Sequence, residues 1–258
     1  MMTDFEKIIE GINTFMPGVT DDDLIAFLKL RFANTIKSPT DPRDHDHEDK
    51  KTVLTTANWN PWVGFIENQQ DKPRCVAQSI EVGARVKTNI ARNVECFDSN
   101  SSQTMVDFDA QELYYLCKRY DGVPDLPGTF TRVGLKMLQK HGITENRPNE
   151  NQVYQCRKYW KCKNQKEALN DLFTVGPINI VVKWYLSFAF GNGVLIPKTK
   201  DRFVGLHAMT LTKRDSQDNE EGITRGINSH GPDWGFGGRF ILPDTQWDTL
   251  VEEAWCFD

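Results

Sequence analysis

The chain has 258 residues, 39% of them hydrophobic and 26% charged, with a formal net charge of -5. That is enough apolar material for one domain of ordinary core size plus a short extension, and so mild a charge argues against nucleic acid as the main partner. No apolar run is long enough to span a bilayer. The start, Met1-Met2-Thr3-Asp4-Phe5-Glu6, lacks the basic, apolar and small-residue regions of a signal peptide, so the expected location is cytoplasmic, with leaderless export leaving no mark.

Residues 3–16 place Phe5, Ile8, Ile9, Ile12 and Phe15 on one helical face, and Pro17-Gly18 ends that segment. Thr20-Asp21-Asp22-Asp23 reads as a cap and an acidic first turn, followed by Leu24, Ile25, Phe27 and Leu28. Pro39 to Lys50 reads as a solvated linker, in which His45 and His47 among carboxylates offer at most a weak metal site. Residues 1–50 are therefore expected to be a helical extension and charged linker, and residues 51–258 the main domain.

Next comes Asn68-Gln69-Gln70-Asp71-Lys72-Pro73-Arg74-Cys75-Val76-Ala77, a polar loop running into a helical pattern. The spacing predicts Cys75 at or just inside a helix N-terminus, where the macrodipole favours thiolate. Gln69 is close enough to offer an amide N–H to an anion beside the thiol. Asp109 predicts a cap with Glu112 three residues on. A turn-rich loop over 120–128, a helix over about 129–140 ending at His141-Gly142, an irregular polar stretch over 144–165 and a short helix over 166–173 follow. From Pro177 the pattern is short β-type runs, over 178–182, 204–211, 222–227 and 238–242. Helices first and strands second is an α+β order, and the cleft between the halves is the natural place for a site.

The six cysteines are Cys75, Cys96, Cys117, Cys156, Cys162 and Cys256. They form no paired CxxC units, so structural zinc is not expected, and reduced thiols are the default. No residue pattern calls for a cofactor. The β half supplies partners for Cys75. His207 lies within a β-type run, and Asn228 opens Asn228-Ser229-His230-Gly231-Pro232-Asp233-Trp234-Gly235. A cysteine with a histidine base oriented by an asparagine amide is one route to an activated sulfur nucleophile.

On these residues the chain resembles the papain-like cysteine peptidases, and among them the bacterial, xylellain-like branch. Asn68-Gln69 with Cys75-Val76-Ala77 looks like the oxyanion glutamine and nucleophile segment. Ala110-Gln111-Glu112-Leu113 is similar to the next helix, Gly128 through Ile143 to the substrate-groove loop and its helix, and Leu206-His207-Ala208 to the strand of the base. Asn228 through Gly235 resembles the family's Asn-Ser-Trp-Gly-x-x-Trp-Gly. The match covers roughly residues 52–256. It implies a two-lobe fold, a helical left lobe and a β-sheet or barrel right lobe, with peptide-bond hydrolysis in the cleft between them.

The resemblance assigns Cys75 as nucleophile, His207 as base and acid, Asn228 as its orienter and Gln69 as an oxyanion donor. It places Gly128, Thr129, Leu206 and Trp234 at the substrate groove, Trp234 more as a structural residue. A peptide or protein is the implied substrate. One family disulfide is missing both halves, and Cys117 and Cys156 fall near the positions of another. His230 replaces a tryptophan that packs over the Asn–His hydrogen bond, which puts that contact in question or sets a second imidazole beside the site. The N-terminal helices could be a vestigial inhibitory segment, but they are far shorter than the family's pro-segment and are expected instead to dock a partner or their own domain or to add to the core. A thiol acyltransferase or deamidase on the same fold, and a catalytically impaired peptide-binding module, are the competing functions.

Overall fold

A computed structural model describes residues 20–45, 56–95, 105–146, 152–214 and 222–258. The helix expected over 3–16, Cys96 and most of the charged stretch after Asp44 lie outside the described residues.

Helix α1 (Asp21–Phe32) starts where the sequence predicts. Thr20 accepts from the Asp23 amide, and the Asp23 carboxylate accepts from the Thr20 amide at 3.0 Å, a reciprocal capping box. Strand β1 (Thr35–Ile36) and buried Ser38 follow it. Within the stretch expected to be a solvated linker from Pro39, the described part forms a 3-10 turn over Pro42–His45 and buries Asp44.

After β2 (Ala57–Asn58) comes α2 (Cys75–Ala91), then α3 (Ala110–Tyr120), β3 (Thr129–Phe130) and α4 (Thr131–Lys140). Asp109 caps α3 as predicted, accepting from the Glu112 amide at 2.8 Å. Val76 and Ile80 of α2 pack with Leu113 of α3 and with Leu135 and Leu138 of α4 to make the core of a helical lobe. The polar stretch expected to be irregular contains β4 (Ile143–Thr144) paired with β5 (Val153–Tyr154), and β6 (Tyr159–Lys161). Helix α5 (Gln165–Thr174) is capped by Asn164, which accepts from the Glu167 amide at 3.0 Å.

The rest is mainly sheet: β7 (Ile178–Tyr185), the short α6 (Leu186–Ala189), β8 (Phe203–Arg214), β9 (Ile223–Ile227), β10 (Arg239–Pro243), the short α7 (Trp247–Leu250) and β11 (Val251–Phe257). Strand order is β10-β9-β8-β7-β11-β6, with every neighbouring pair antiparallel. Among the described residues it is an open sheet and not a closed barrel. Ile180, Val182, Met209, Leu211, Phe240 and Leu242 build the core on one side. Helix α2 meets the other, where Thr210 Oγ1 donates to Ser79 O at 2.8 Å and Asn179 Nδ2 to Ser79 Oγ at 3.1 Å. Cover on both faces is why β7 reads as a nearly continuous apolar run and not as an alternation.

Strands β8, β9 and β10 lie so close at Gly226 that a Cβ there would stand 2.3 Å from Thr210 O and 2.5 Å from the Phe240 ring. Gly226→Ala is therefore expected to destabilise the protein by about 1–3 kcal/mol, read as a lower urea midpoint. An unchanged midpoint would mean that the strands can part there at no cost.

Candidate active site

Cys75 is the first residue of α2, so its sulfur stands at the positive end of the helix, as the sequence predicts. Its side chain is completely buried. Burial pushes the thiol above its ordinary range, against the Thr35 hydroxyl 3.1 Å away and the backbone N–H groups of Ala208, Asn34 and Val76. The helix end alone favours thiolate, but in this structure the thiol lies under residues 34 and 35, and desolvation wins. The other described cysteines, Cys117, Cys156, Cys162 and Cys256, are also free and buried.

His207 sits in β8 opposite Val182 of β7 and is also completely buried. Its Nε2 lies 2.7 Å from Asn228 Oδ1, and that oxygen also accepts from the Ser229 amide at 2.8 Å. A backbone N–H can only donate, so the Asn228 oxygen must face this side. Nε2 therefore carries the ring proton, and Nδ1 is the lone-pair nitrogen. Nδ1 is buried and has no hydrogen-bond partner among the described residues. Burial pushes His207 down to about 4, against the raising effect of Asn228. Thiol and imidazole are thus both neutral at neutral pH in this arrangement.

Gln69 is tied to the same turn. Its amide N–H donates to Ser229 O at 2.7 Å, and its Oε1 accepts from the Ser229 hydroxyl at 2.6 Å. Its Nε2 donates to Lys72 O at 3.2 Å, on the turn that leads into Cys75. Ser229, which carries no weight in the sequence reading beyond its place in the motif, joins the loop of Gln69 to that of Asn228.

Cys75 is covered by the chain itself. Thr35 pairs antiparallel with Leu206 and parallel with Thr129, and Ile36 pairs with Phe130. Gly128 has φ +81°, and a Cβ there would sit 1.4 Å from Asn34 O, so only glycine lets the segment pass. Gly128, Thr129 and Leu206, expected at the substrate groove, thus all border residues 34–36. Trp234 lies elsewhere, in an aromatic cluster with Trp184 and His230, donating through Nε1 to Phe188 O at 2.8 Å.

Beyond β1 the segment is latched to the body. The Ser38 amide donates to buried Glu253 Oε1 at 2.5 Å, and Lys37 pairs with Glu252 at 2.5 Å. Arg132 binds the Asp44 carboxylate and Pro39 O. Sequence reasoning missed Thr35, Ser38 and Glu253 as neighbours of the groove. The nearest signal is the acidic pair Glu252-Glu253 inside an otherwise apolar C-terminal run.

No family model matches the sequence, and no curated protein matches it. Solved structures do. The chain is similar to xylellain, a cysteine protease from Xylella fastidiosa, with a TM-score of 0.71 and 18% identity over 88% of this chain and 96% of that one. It is similar to proCathepsin B S9 from Trypanosoma congolense, with a TM-score of 0.73 and 13% identity over 99% and 97% of the two chains. Procathepsin L 3 of the Tenebrio molitor larval midgut matches with a TM-score of 0.67 and 15% identity, over 98% of this chain and 88% of that one. The fold is that of the papain-like cysteine proteases, α+β with a helical lobe and a sheet lobe. At these identities the likeness establishes the fold and no more.

Burial holds His207 down at about 4, below the ordinary histidine value, so the unfolded chain binds the extra proton first. Its contribution to stability is intact above the unfolded value near 6.5 and is lost as pH falls towards 4. Wild type is expected to lose about 3 kcal/mol more than His207→Gln between pH 7 and pH 4, measured by urea unfolding. Equal losses would mean that His207 is not held neutral by burial.

Proposed function

We propose that this protein is a cysteine peptidase held latent by its own N-terminal segment. The observation that carries the reading is the convergence at one spot of a helix-terminal cysteine, a histidine with its proton fixed away on Nε2, and an intervening strand of the same chain.

With the segment displaced, water and substrate reach Cys75 and His207, and the desolvation that keeps both neutral is relieved. Proton transfer from Sγ to Nδ1 then gives a thiolate and an imidazolium. The thiolate attacks the scissile carbonyl, and the negative charge on its oxygen is stabilised by the Cys75 backbone N–H and the Gln69 side-chain amide. Loss of one such donor typically costs about 10²–10³ in rate. His207 returns its proton to the leaving amine, the acyl group remains as a thioester, and water resolves it to the acid with His207 as base. Asn228 holds the imidazole in the required tautomer throughout.

The segment is itself a peptide, and what it offers the sulfur explains why it can lie there intact. From it a hydroxyl and an amide N–H reach Sγ, neither of them an electrophilic carbon. The neighbours whose names carry the prefix "pro" align with 99% and 98% of this chain, which supports a counterpart for the segment in those proteins. This reading replaces the expectation that the N-terminal region adds core or docks a separate partner.

Thr35→Arg puts a long cation where a hydroxyl meets buried sulfur, and a buried unpaired charge is costly enough to expel the segment. An epoxide thiol inhibitor, with the labelled residue found by mass spectrometry, is expected to label Cys75 at least about tenfold faster in Thr35→Arg than in wild type. The gain disappears on adding His207→Ala, and peptides incubated with Thr35→Arg acquire new N-termini. If Cys75 in Thr35→Arg reacts no faster than the other cysteines, the peptidase reading falls. If it reacts but yields amine-transfer or deamidated products without new N-termini, the protein is an acyltransferase or deamidase.

A further inference from the structure

We propose that His230 is a positioning residue: its Nδ1 accepts a hydrogen bond from the Asn228 side-chain amide and so locks the orientation in which Asn228 holds His207. The proposal rests on the reading of Cys75 and His207 as the reacting pair, but its geometry stands without it.

The Asn228 side chain is 2% exposed and has both ends committed. Its oxygen faces the Ser229 N–H at 2.8 Å and His207 Nε2 at 2.7 Å. Its nitrogen, a pure donor, lies 3.0 Å from His230 Nδ1. Nδ1 must then carry the lone pair, which makes His230 neutral with its proton on Nε2. The ring cannot turn away easily. It stacks on His207 with centroids 4.7 Å apart and planes 26° apart. Edge-on contacts to Trp184 at 5.3 Å and Trp234 at 5.8 Å fix its plane. Without an acceptor at this point, the Asn228 amide would be a buried donor lacking this partner, and its orientation would rest on the oxygen side alone.

A proton on His230 Nδ1 would set N–H against N–H. Asn228 cannot respond by turning its amide over, because Ser229 and His207 both donate to the oxygen. The groups facing His230 include Asn228 and, beyond it, His207 from β8, Trp184 from β7, Trp234 from its own loop and, across a backbone bridge, Asn68. Among these described neighbours the titrating one is His207, whose ring must itself become cationic when Cys75 ionises. Two stacked imidazolium rings repel, so the working state needs a neutral His230. A proton on His230 Nδ1 therefore undoes the lock.

The test uses the full chain with 15N-labelled histidine, followed by NMR from pH 8 to pH 4. At pH 7 His230 is expected to carry its proton on Nε2, with Nδ1 bare. His207 Nε2–H is expected to give a sharp, exchange-protected signal that broadens with the His230 midpoint and not with its own. His230→Asn presents a side-chain oxygen in the Nδ1 role and keeps the His207 signal sharp to lower pH. His230→Phe keeps the ring packing but loses the acceptor, and the signal is expected to broaden at every pH. In turnover assays on the Thr35→Arg background kcat falls about tenfold on adding His230→Phe with KM unchanged, and adding His230→Asn leaves it within about twofold of Thr35→Arg alone. A proton on His230 Nδ1 in wild type at pH 7, or an unchanged His207 signal in His230→Phe, overturns the proposal. An inert Cys75 alongside the expected histidine signals would reject the peptidase reading and leave the positioning role standing.

Discussion

Asn228 Oδ1 has to satisfy two donors at once, His207 Nε2–H at 2.7 Å and the Ser229 amide at 2.8 Å, where no side chain involved is more than 6% exposed. An unpaired donor in such a place costs about 1–3 kcal/mol, so neither bond can be given up cheaply. That constraint reaches outward. Thr210 pairs with Ile227 across the β8–β9 ladder, which brings Asn228, just past the end of β9, alongside His207. Ser229 then takes both ends of Gln69, its carbonyl accepting the Gln69 amide and its hydroxyl donating to the side chain. One turn thus holds the sheet's histidine and the loop before α2 in a common frame. The geometry around Cys75 follows from how the strands pair.

The charge state of Cys75 is a contest between two effects of different range. A helix N-terminus is worth about 0.3–1 kcal/mol to an anion, up to about 2 kcal/mol when partly buried. It acts whether or not the groove is filled. Burial of the sulfur acts in the opposite direction, and in this structure it dominates. Residues 34 and 35 thus lie against the sulfur where burial keeps it a neutral thiol. What holds the strand is mostly not surface charge. Lys37 is 59% exposed, so its pair with Glu252 is worth about 0–1 kcal/mol. The Ser38 amide on buried Glu253 is a bond to a charged acceptor, about 1.5–3 kcal/mol.

The sequence makes legible what depends on neighbours along the chain. Thr20 and Asp109 announce helix starts, Cys75 falls at the head of α2, and the apolar runs of β7 and β8 mark the sheet's centre. Features set by distant partners are hidden. Strand β1 is only two residues long, and its place is decided by Thr129 and Leu206, far off in sequence. Asp44 reads as one more hydrated acid in a charge run, yet it is buried on Arg132. Strand β11 escapes a periodicity search because Glu252 and Glu253 interrupt its apolar residues. Glu253 is buried there because it accepts from Trp255 Nε1 at 2.7 Å as well as from Ser38. A carboxylate that breaks the local pattern is explained by a contact across the whole fold.

Position 230 makes the same point about a single side chain. Read against the papain-like motif, a histidine where a tryptophan packs over the Asn–His hydrogen bond suggests a weakened site, because an indole shields that bond from water. The shield here comes from other places. Trp184 of β7, completely buried, has its ring 4.7 Å from that of His207 and 5.3 Å from that of His230, and the Trp234 ring lies 5.8 Å from both Trp184 and His230. With two indoles already excluding water, a smaller ring at 230 leaves His207 and Asn228 buried. It also supplies what an indole cannot, since an indole N–H only donates and the Asn228 nitrogen needs an acceptor. The substitution is therefore coherent with its surroundings: Trp184 of β7 and Trp234, the tryptophan the motif keeps, supply apolar cover, and position 230 becomes a hydrogen-bond partner of Asn228.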